Sequence, residues 1–311
     1  MGQKSRSEIR EGRIIMALDE NMLTCIRAIA ENRIQDAKTA AIACCVNDTT
    51  KKNEAVTKYY KKLLENGNKN TFELPVTLQG LLNMQDMSGF NEKRYYLGRQ
   101  QEQLYSTIEK GVRTSLKMLE YGIPYLNSTL ISGIPGTGKT EFVKYVAYRL
   151  DLPYAYLNFS YLIDSYLGKT AQNLRKVFDY CKGQKCVLML DEVDCIGLAR
   201  GHGSGADGEL GRTTIALMQE LDTLTDGQVV IAATNRADRL DAALLRRFQN
   251  KAEFTCFDKN ERKIMIEKYM QSVEPSFVTD EILSYADEPH TQAEIVQYLI
   301  NTIVERISEE K

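Results

Sequence analysis

Tryptophan is absent from this chain of 311 residues, and proline (6) and histidine (2) are scarce. So little proline rules out a collagen-like or polyproline rod. The seven cysteines are Cys25, Cys44, Cys45, Cys181, Cys186, Cys195 and Cys256, and no two stand in C-x-x-C spacing. With only His202 and His290 to add, a structural zinc site has poor raw material. An odd count also fits a disulfide scaffold badly, so these cysteines read as small buried hydrophobes in a reducing compartment. No apolar run approaches the ~18 residues of a membrane span. Met1–Ile14 is too polar for a signal peptide. Met1-Gly2 is followed by Arg6 where a myristoylation signal needs a hydroxyl. Neither charge sign dominates: 40 basic against 42 acidic residues leave −2. That balance gives no general field for nucleic acid or an anionic surface. The expectation is a cytoplasmic protein without a membrane partner.

What is present suits a folded chain. Apolar residues make up 43% and charged residues 26%, ordinary for a protein that buries a core. The length is about twice the ~150 residues of one domain. The first ninety or so residues read as helix. Apolar positions recur at Ile15, Leu18, Leu23, Ile26 and Ile29, an Ala-rich run covers Asp36–Val46, and Val56, Tyr59, Tyr60, Leu63 and Leu64 follow at mostly helical spacing. Asn47-Asp48-Thr49 offers a break and a cap. After Tyr95 the pattern changes. A charged helix over Arg99–Tyr121 leads into alternating strands and helices. The strands are expected at Thr129–Ser132, Pro153–Asn158, Cys186–Leu190, Val229–Ala233 and Ala252–Phe257. They are nearly continuous apolar runs, as in a parallel sheet covered on both faces. Beyond Asp258 the chain is helical again.

Gly133-Ile134-Pro135-Gly136-Thr137-Gly138-Lys139-Thr140 matches G-x-x-x-x-G-K-[ST], after an apolar strand and before an amphipathic helix. Its glycines let successive backbone N–H groups face phosphates, and the following helix adds its positive end. Lys139 is the candidate for the β- and γ-phosphates and the Thr140 hydroxyl for Mg²⁺. About fifty residues later, Val187-Leu188-Met189-Leu190 ends in Asp191-Glu192. This places two carboxylates at the C-terminal edge of a buried strand, where open parallel sheets bind ligands. Asp191 is the candidate for the Mg²⁺ shell and Glu192 for the proton of an attacking water. Asn235 follows a third strand and is placed to bond that water or a γ-phosphate oxygen. Arg246-Arg247 lie on a short helix that, taken alone, reads as a solvated face.

Together these segments resemble the AAA+ ATPases, and within them the AAA family proper, from about Tyr95 to Lys311. The resemblance implies an α/β P-loop fold with a parallel five-stranded sheet, flanking helices and a C-terminal helical lid. The implied boundaries are a helical N-terminal region over 1–94, the ATPase core over 95–258 and the lid over 259–311. By resemblance Asn235 is the sensor-1 residue. Arg246 and Arg247 are arginine fingers that act on ATP in a neighbouring subunit, which implies a homo-oligomer, by family norm a hexameric ring. Tyr166-Leu167-Gly168 matches the aromatic–aliphatic–Gly loop that grips an extended polypeptide. The Gly-rich stretch Ala199–Glu209, with Arg200 and His202, falls where a second pore-facing loop stands. Thr291-Gln292-Ala293-Glu294-Ile295 matches the small-residue segment that replaces a sensor-2 arginine, which places Ala293 at the nucleotide. Tyr96-Leu97-Gly98 falls where the family contacts adenine.

The implied activity is hydrolysis of Mg²⁺–ATP coupled to remodelling or unfolding of a protein partner. A nucleic-acid-linked ATPase of a mobile element or replication system, and a nucleotide-gated assembly scaffold, would share the same catalytic parts. The acidic balance and the aromatic loop weigh toward protein. Residues 1–94, expected to choose the partner, match no family pattern.

Overall fold

The computed structural model describes residues 19–30, 33–48, 50, 53–65, 74–123, 127–165, 169–196, 206–224 and 228–309. The chain forms two compact units, Met1–Lys69 and Asn70–Lys311.

The first unit contains α1 (Glu20–Ala30), α2 (Ile34–Asn47) and α3 (Glu54–Glu65). Alanines make its core: Ala28 of α1 and Ala37 and Ala40 of α2 are buried, while Leu23, Ile26 and Ile29 stay largely exposed. Small residues let two helix backbones approach closely, and here they, not the long apolar side chains, occupy the contact. The break after α2 is built by Asp48. Its carboxylate accepts from the Thr50 backbone N–H at 2.9 Å and the Asn53 side-chain amide at 2.7 Å, a local bond that competes with helix continuation.

The second unit begins with an element the sequence pattern did not reveal, β1 (Asn83–Gln85). Then come α4 (Arg99–Glu120), β2 (Asn127–Ser132), α5 (Lys139–Arg149), β3 (Tyr154–Asn158), α6 (Phe159–Ser165), α7 (Thr170–Gly183) and β4 (Val187–Asp191). The order continues through α8 (Ala206–Asp222), β5 (Val229–Thr234), α9 (Ala242–Leu245), β6 (Asn250–Glu253), α10 (Lys259–Gln271), α11 (Asp280–Ser284) and α12 (Gln292–Glu309). The strands form one sheet of six, ordered β1-β3-β4-β5-β2-β6. Five run parallel, and β1 adds an antiparallel edge by pairing Met84 with Ala155. The five expected strands are thus extended to six. The expected boundary at residue 94 falls inside this unit, because Leu78, Leu81, Leu82 and Met84 bury in its core. Three residues are too short for a period-two signal to stand out.

Each face of the sheet is covered. Leu174, Val177, Phe178, Leu217 and Leu221 pack one side. Phe142, Val143, Val146 and Ala147 of α5 pack the other, with Ile108 of α4. The run Ala252–Phe257, read as strand, is ladder only to Glu253. Phe254 joins the sheet core against Phe142, ring centroids 5.2 Å apart. Phe257 enters a separate lid core with Met265, Ile266, Met270, Ile295 and Leu299. Its apolar character marks a passage between two cores. The lid is tied locally by Asp258, which caps α10 reciprocally with Glu261. Buried Arg262 donates to the Ala286 and Phe257 carbonyls. Among the described residues no helix is long and apolar enough to cross a membrane.

Candidate nucleotide-binding and hydrolysis site

The phosphate loop joins β2 to α5 and turns on three glycines with positive φ: Gly133 (+143°), Gly136 (+84°) and Gly138 (+80°). Gly133 is the tightest. A Cβ there would lie 2.1 Å from the Phe254 carbonyl oxygen. The Thr137 hydroxyl donates to the Ile134 carbonyl at 2.9 Å and closes the loop, while Ile134 and Pro135 stand exposed at its crown. Lys139 opens α5. Its ammonium donates to Gly133 O (2.7 Å), Ile134 O (3.0 Å) and Asn235 Oδ1 (2.8 Å). Burial pushes the Lys139 pKa down, against the pull of Asp191 and Asp194. Thr140 follows, half-buried.

The parallel register brings the strand ends together beside this loop. Asn158 ends β3 opposite Asp191 at the end of β4. Thr234 ends β5 opposite Ser132 of β2, which puts Asn235 next to the phosphate loop. Asp191 accepts from the Tyr156 hydroxyl at 3.2 Å and from the Glu192 N–H at 3.0 Å. Burial raises its pKa and the Glu192 charge adds to that, opposed by those two donors and by Lys139. Glu192 adopts a left-handed conformation with φ +58°, uncommon for a residue with a side chain. Its carboxylate accepts from Asn158 Nδ2 at 3.1 Å, and Asn158 Oδ1 in turn holds the Tyr161 N–H of α6 at 2.9 Å. Asn158 escaped the sequence reading, since only the pairing of β3 with β4 sets it beside Asp191. The Thr234 hydroxyl donates to Asp194 at 2.7 Å and ties β5 to the turn after Glu192.

The other expected residues are spread more widely. Ala293, at the start of α12, donates its N–H to the Gly136 carbonyl at 3.0 Å, so the lid touches the phosphate loop. Gly98 caps α4, its N–H held by Gln101 at 3.1 Å. A Cβ on Gly98 would lie 2.5 Å from the Phe257 ring. Leu97 packs partly buried on the sheet core, and Tyr96 meets Phe257 edge to face at 5.3 Å. Arg246 and Arg247 follow the one-turn helix α9, whose start is capped by Asp241. Arg247 donates through Nε to both oxygens of Asp222 at 3.0 Å and through a terminal nitrogen to Ala243 O at 2.8 Å. Arg246 is exposed and its side chain has no partner among the described residues. Tyr166, Leu167 and Gly168, between α6 and α7, and Arg200 and His202, between β4 and α8, lie outside the described residues.

These groups fit a nucleotide with its metal. A loop turning on glycines at positive φ, a buried ammonium and the N-terminal end of α5 suit phosphate anions. Thr140 and Asp191 offer hard oxygen donors. Among the described residues no three of His, Cys, Asp and Glu gather as a metal cage. Two protein oxygens are what an ion like Mg²⁺ takes, its shell being completed from phosphates and water. One consequence is testable on the bare protein. Because the folded-state pKa of Asp191 is raised, its contribution to stability is full below the unfolded pKa and is lost as pH rises through the folded value. Above that value the ionised carboxylate is held at a cost, since burial opposes its charge. Asp191→Asn is therefore expected to raise the midpoint temperature without nucleotide by roughly 1–3 °C. The further stabilisation by Mg²⁺–ATP should disappear. Thermal melts with and without Mg²⁺–ATP check both, and a lower midpoint in the bare variant would contradict the argument.

A parallel sheet with a phosphate loop after β2 and acids at the end of β4 defines a P-loop nucleoside-triphosphatase. Residues 129–256 match the family described as ATPase family associated with various cellular activities (AAA). The chain is 30% identical over 238 residues to the uncharacterized AAA family ATPase y4kL of Sinorhizobium fredii, covering 74% of this chain and 71% of that protein. It is 38% identical over 154 residues to the 26S proteasome regulatory subunit 10B homolog A of Arabidopsis thaliana, 48% of this chain and 39% of that one. It is 33% identical over 220 residues to the ATP-dependent zinc metalloprotease FtsH 3 of Phytoplasma mali, 67% and 35% respectively. The chain belongs to the AAA family of ATPases. It spans well under half the length of the proteasomal and FtsH relatives.

Proposed function

We propose that this chain assembles into a ring of like subunits, six by family norm, and uses ATP hydrolysis to remodel or unfold a protein partner. The observation that carries the reading is the chain of contacts at one sheet edge. Lys139 bonds the phosphate loop and Asn235, and Asp191 and Glu192 are joined through Tyr156 and Asn158. In this reading the loop from Gly133 to Thr140 cradles the phosphates and Lys139 turns from its carbonyls to the β- and γ-oxygens. Thr140 and Asp191 hold Mg²⁺, which when bound supplies positive charge at the β- and γ-phosphates. Asn158 holds Glu192, Glu192 takes a proton from the attacking water, and Asn235 orients that water. Leu97, Gly98 and Ala293 border the nucleoside. The proteasomal subunits and FtsH, protein-degradation components by name, support a polypeptide as the partner, gripped by Tyr166-Leu167-Gly168. The helical N-terminal unit, Met1–Lys69, selects it.

Arg246 is the better of the two finger candidates, because Arg247 is already occupied by Asp222. Arg246→Ala is expected to lower turnover by about 10³-fold, the usual worth of an arginine finger, with nucleotide affinity little changed. Arg247→Ala should lose less turnover and more thermal stability. Mixing Arg246→Ala with Glu192→Gln subunits should restore partial activity, since each supplies what its neighbour lacks. Steady-state hydrolysis of the single variants and of the mixture measures this. The output itself is tested by stimulation. An unfolded polypeptide should raise ATP hydrolysis, whereas DNA or RNA should not. The opposite response would assign the chain to nucleic acid.

A further inference from the structure

Gln292 is the first residue of α12 and only 6% exposed. Its Nε2 donates to the Thr255 carbonyl at 3.1 Å, and its Oε1 has no partner. A backbone carbonyl only accepts, so the amide nitrogen must be the end on Thr255. The end left over is therefore an acceptor, buried and unpaired, which is an unfavourable arrangement unless something completes it.

Its surroundings say what that something is. The residues on either side of Gln292 both touch the phosphate loop. Ala293 N–H donates to Gly136 O at 3.0 Å, and Thr291 Oγ1 lies 3.0 Å from where a Gly136 side chain would begin. Thr255 belongs to the passage from β6 to α10, two residues before Phe257, which packs on Gly98. Gln292 thus sits where the phosphate loop, that passage and the lid helix converge. Among the described residues the other orphan side-chain atoms, the hydroxyls of Tyr95 and Tyr154, belong to the aromatic core over the sheet.

We infer that Gln292 is a specificity residue for the nucleoside half of the nucleotide: its Oε1 accepts a hydrogen bond from the 6-amino group of adenine or from the ribose 2′-hydroxyl. This rests on the proposed ATP site. An acceptor here favours ATP over GTP, whose 6-oxo group would set two acceptors face to face. It favours ATP over 2′-deoxy-ATP if the donor is the ribose 2′-hydroxyl. The contact also ties nucleotide to lid, because the same side chain holds Thr255 at its other end.

The test is calorimetric binding of Mg²⁺–ATP, Mg²⁺–GTP and Mg²⁺–2′-deoxy-ATP to the full chain carrying Glu192→Gln, with and without Gln292→Met. Methionine keeps the length and packing but removes both the acceptor and the Nε2 donor to Thr255 O, so the ratios between nucleotides, which a lost strut would not change, carry the readout. ATP affinity is expected to fall about tenfold, as for one lost hydrogen bond in a closed site, with one competitor changing less than twofold. If the ATP/GTP ratio collapses, the donor is the 6-amino group. If the ATP/2′-deoxy-ATP ratio collapses, it is the ribose hydroxyl. Equal weakening of all three, or no change, overturns the inference and leaves Gln292 a lid strut. Should the methionine variant not fold, the parent decides. Discrimination below twofold against both purine riboside triphosphate and 2′-deoxy-ATP overturns the inference. Failure of the parent to bind ATP at all would instead remove the proposed site.

Discussion

Glu192→Gln is expected to slow ATP hydrolysis by about 10²–10⁴-fold, the usual contribution of a positioned general base, while ATP affinity stays within about twofold. Glutamine matches glutamate in size and keeps an oxygen that can accept from Asn158 Nδ2, so the left-handed backbone and its neighbours need not move. What it loses is basicity, and nothing near it replaces that. Asp191 is occupied by the Tyr156 hydroxyl and the Glu192 N–H, and its raised pKa reflects burial. Binding depends on the phosphate loop and Lys139, which the change leaves alone. The variant should therefore hold ATP, remain assembled and retain its partner, which makes it the form for capturing that partner. Single-turnover hydrolysis and calorimetric ATP binding check the two halves. Turnover at the wild-type rate would falsify the assignment of Glu192 as base.

Gly133→Ala is expected to cost about 3 kcal/mol or more of stability, in the range of strained-backbone and overpacking changes. The midpoint temperature should drop by roughly 10 °C. Two causes act together. The φ of +143° lies outside what alanine adopts readily, and the new methyl would stand 2.1 Å from the Phe254 carbonyl oxygen. Relief by moving Phe254 is blocked on two sides, since its N–H donates to Ser132 O at 2.7 Å and its ring is buried against Phe142. The adjacent Ile134→Ala is the control. That side chain is 54% exposed, and its loss should stay within about 0.5 kcal/mol. Denaturant melts of the two variants separate a general effect on the loop from the specific one. Equal stability of both would mean that the close approach of Gly133 to Phe254 carries no cost.

Legibility followed locality. The phosphate loop, Asp191-Glu192 and Asn235 were readable because each is a contiguous stretch in which residue type and strand or helix context coincide. Asn158 was not, since an Asn after an apolar run is usually a turn residue. Only the register of β3 on β4 sets it against Asp191 and lets it hold Glu192. The two arginines were legible as a pair but not separable, because Asp222 lies 25 residues before Arg247. The end of β6 was overextended for a related reason. Apolar residues entering two different cores give the same pattern as a buried strand.

The sequence by itself determined the chemistry of the centre: glycines able to take positive φ, a lysine and a threonine after them, and two acids and an asparagine at strand ends. It did so because backbone freedom, charge and hydrogen-bonding capacity belong to residue types and short spacings. The tertiary structure decided which of these meet. Lys139 and Asn235 are 96 residues apart in the chain and bonded at 2.8 Å, and Gln292 acquires an unpaired buried oxygen only where α12 docks near the phosphate loop. Such contacts depend on strand order and lid position, which long-range packing fixes and no local pattern carries.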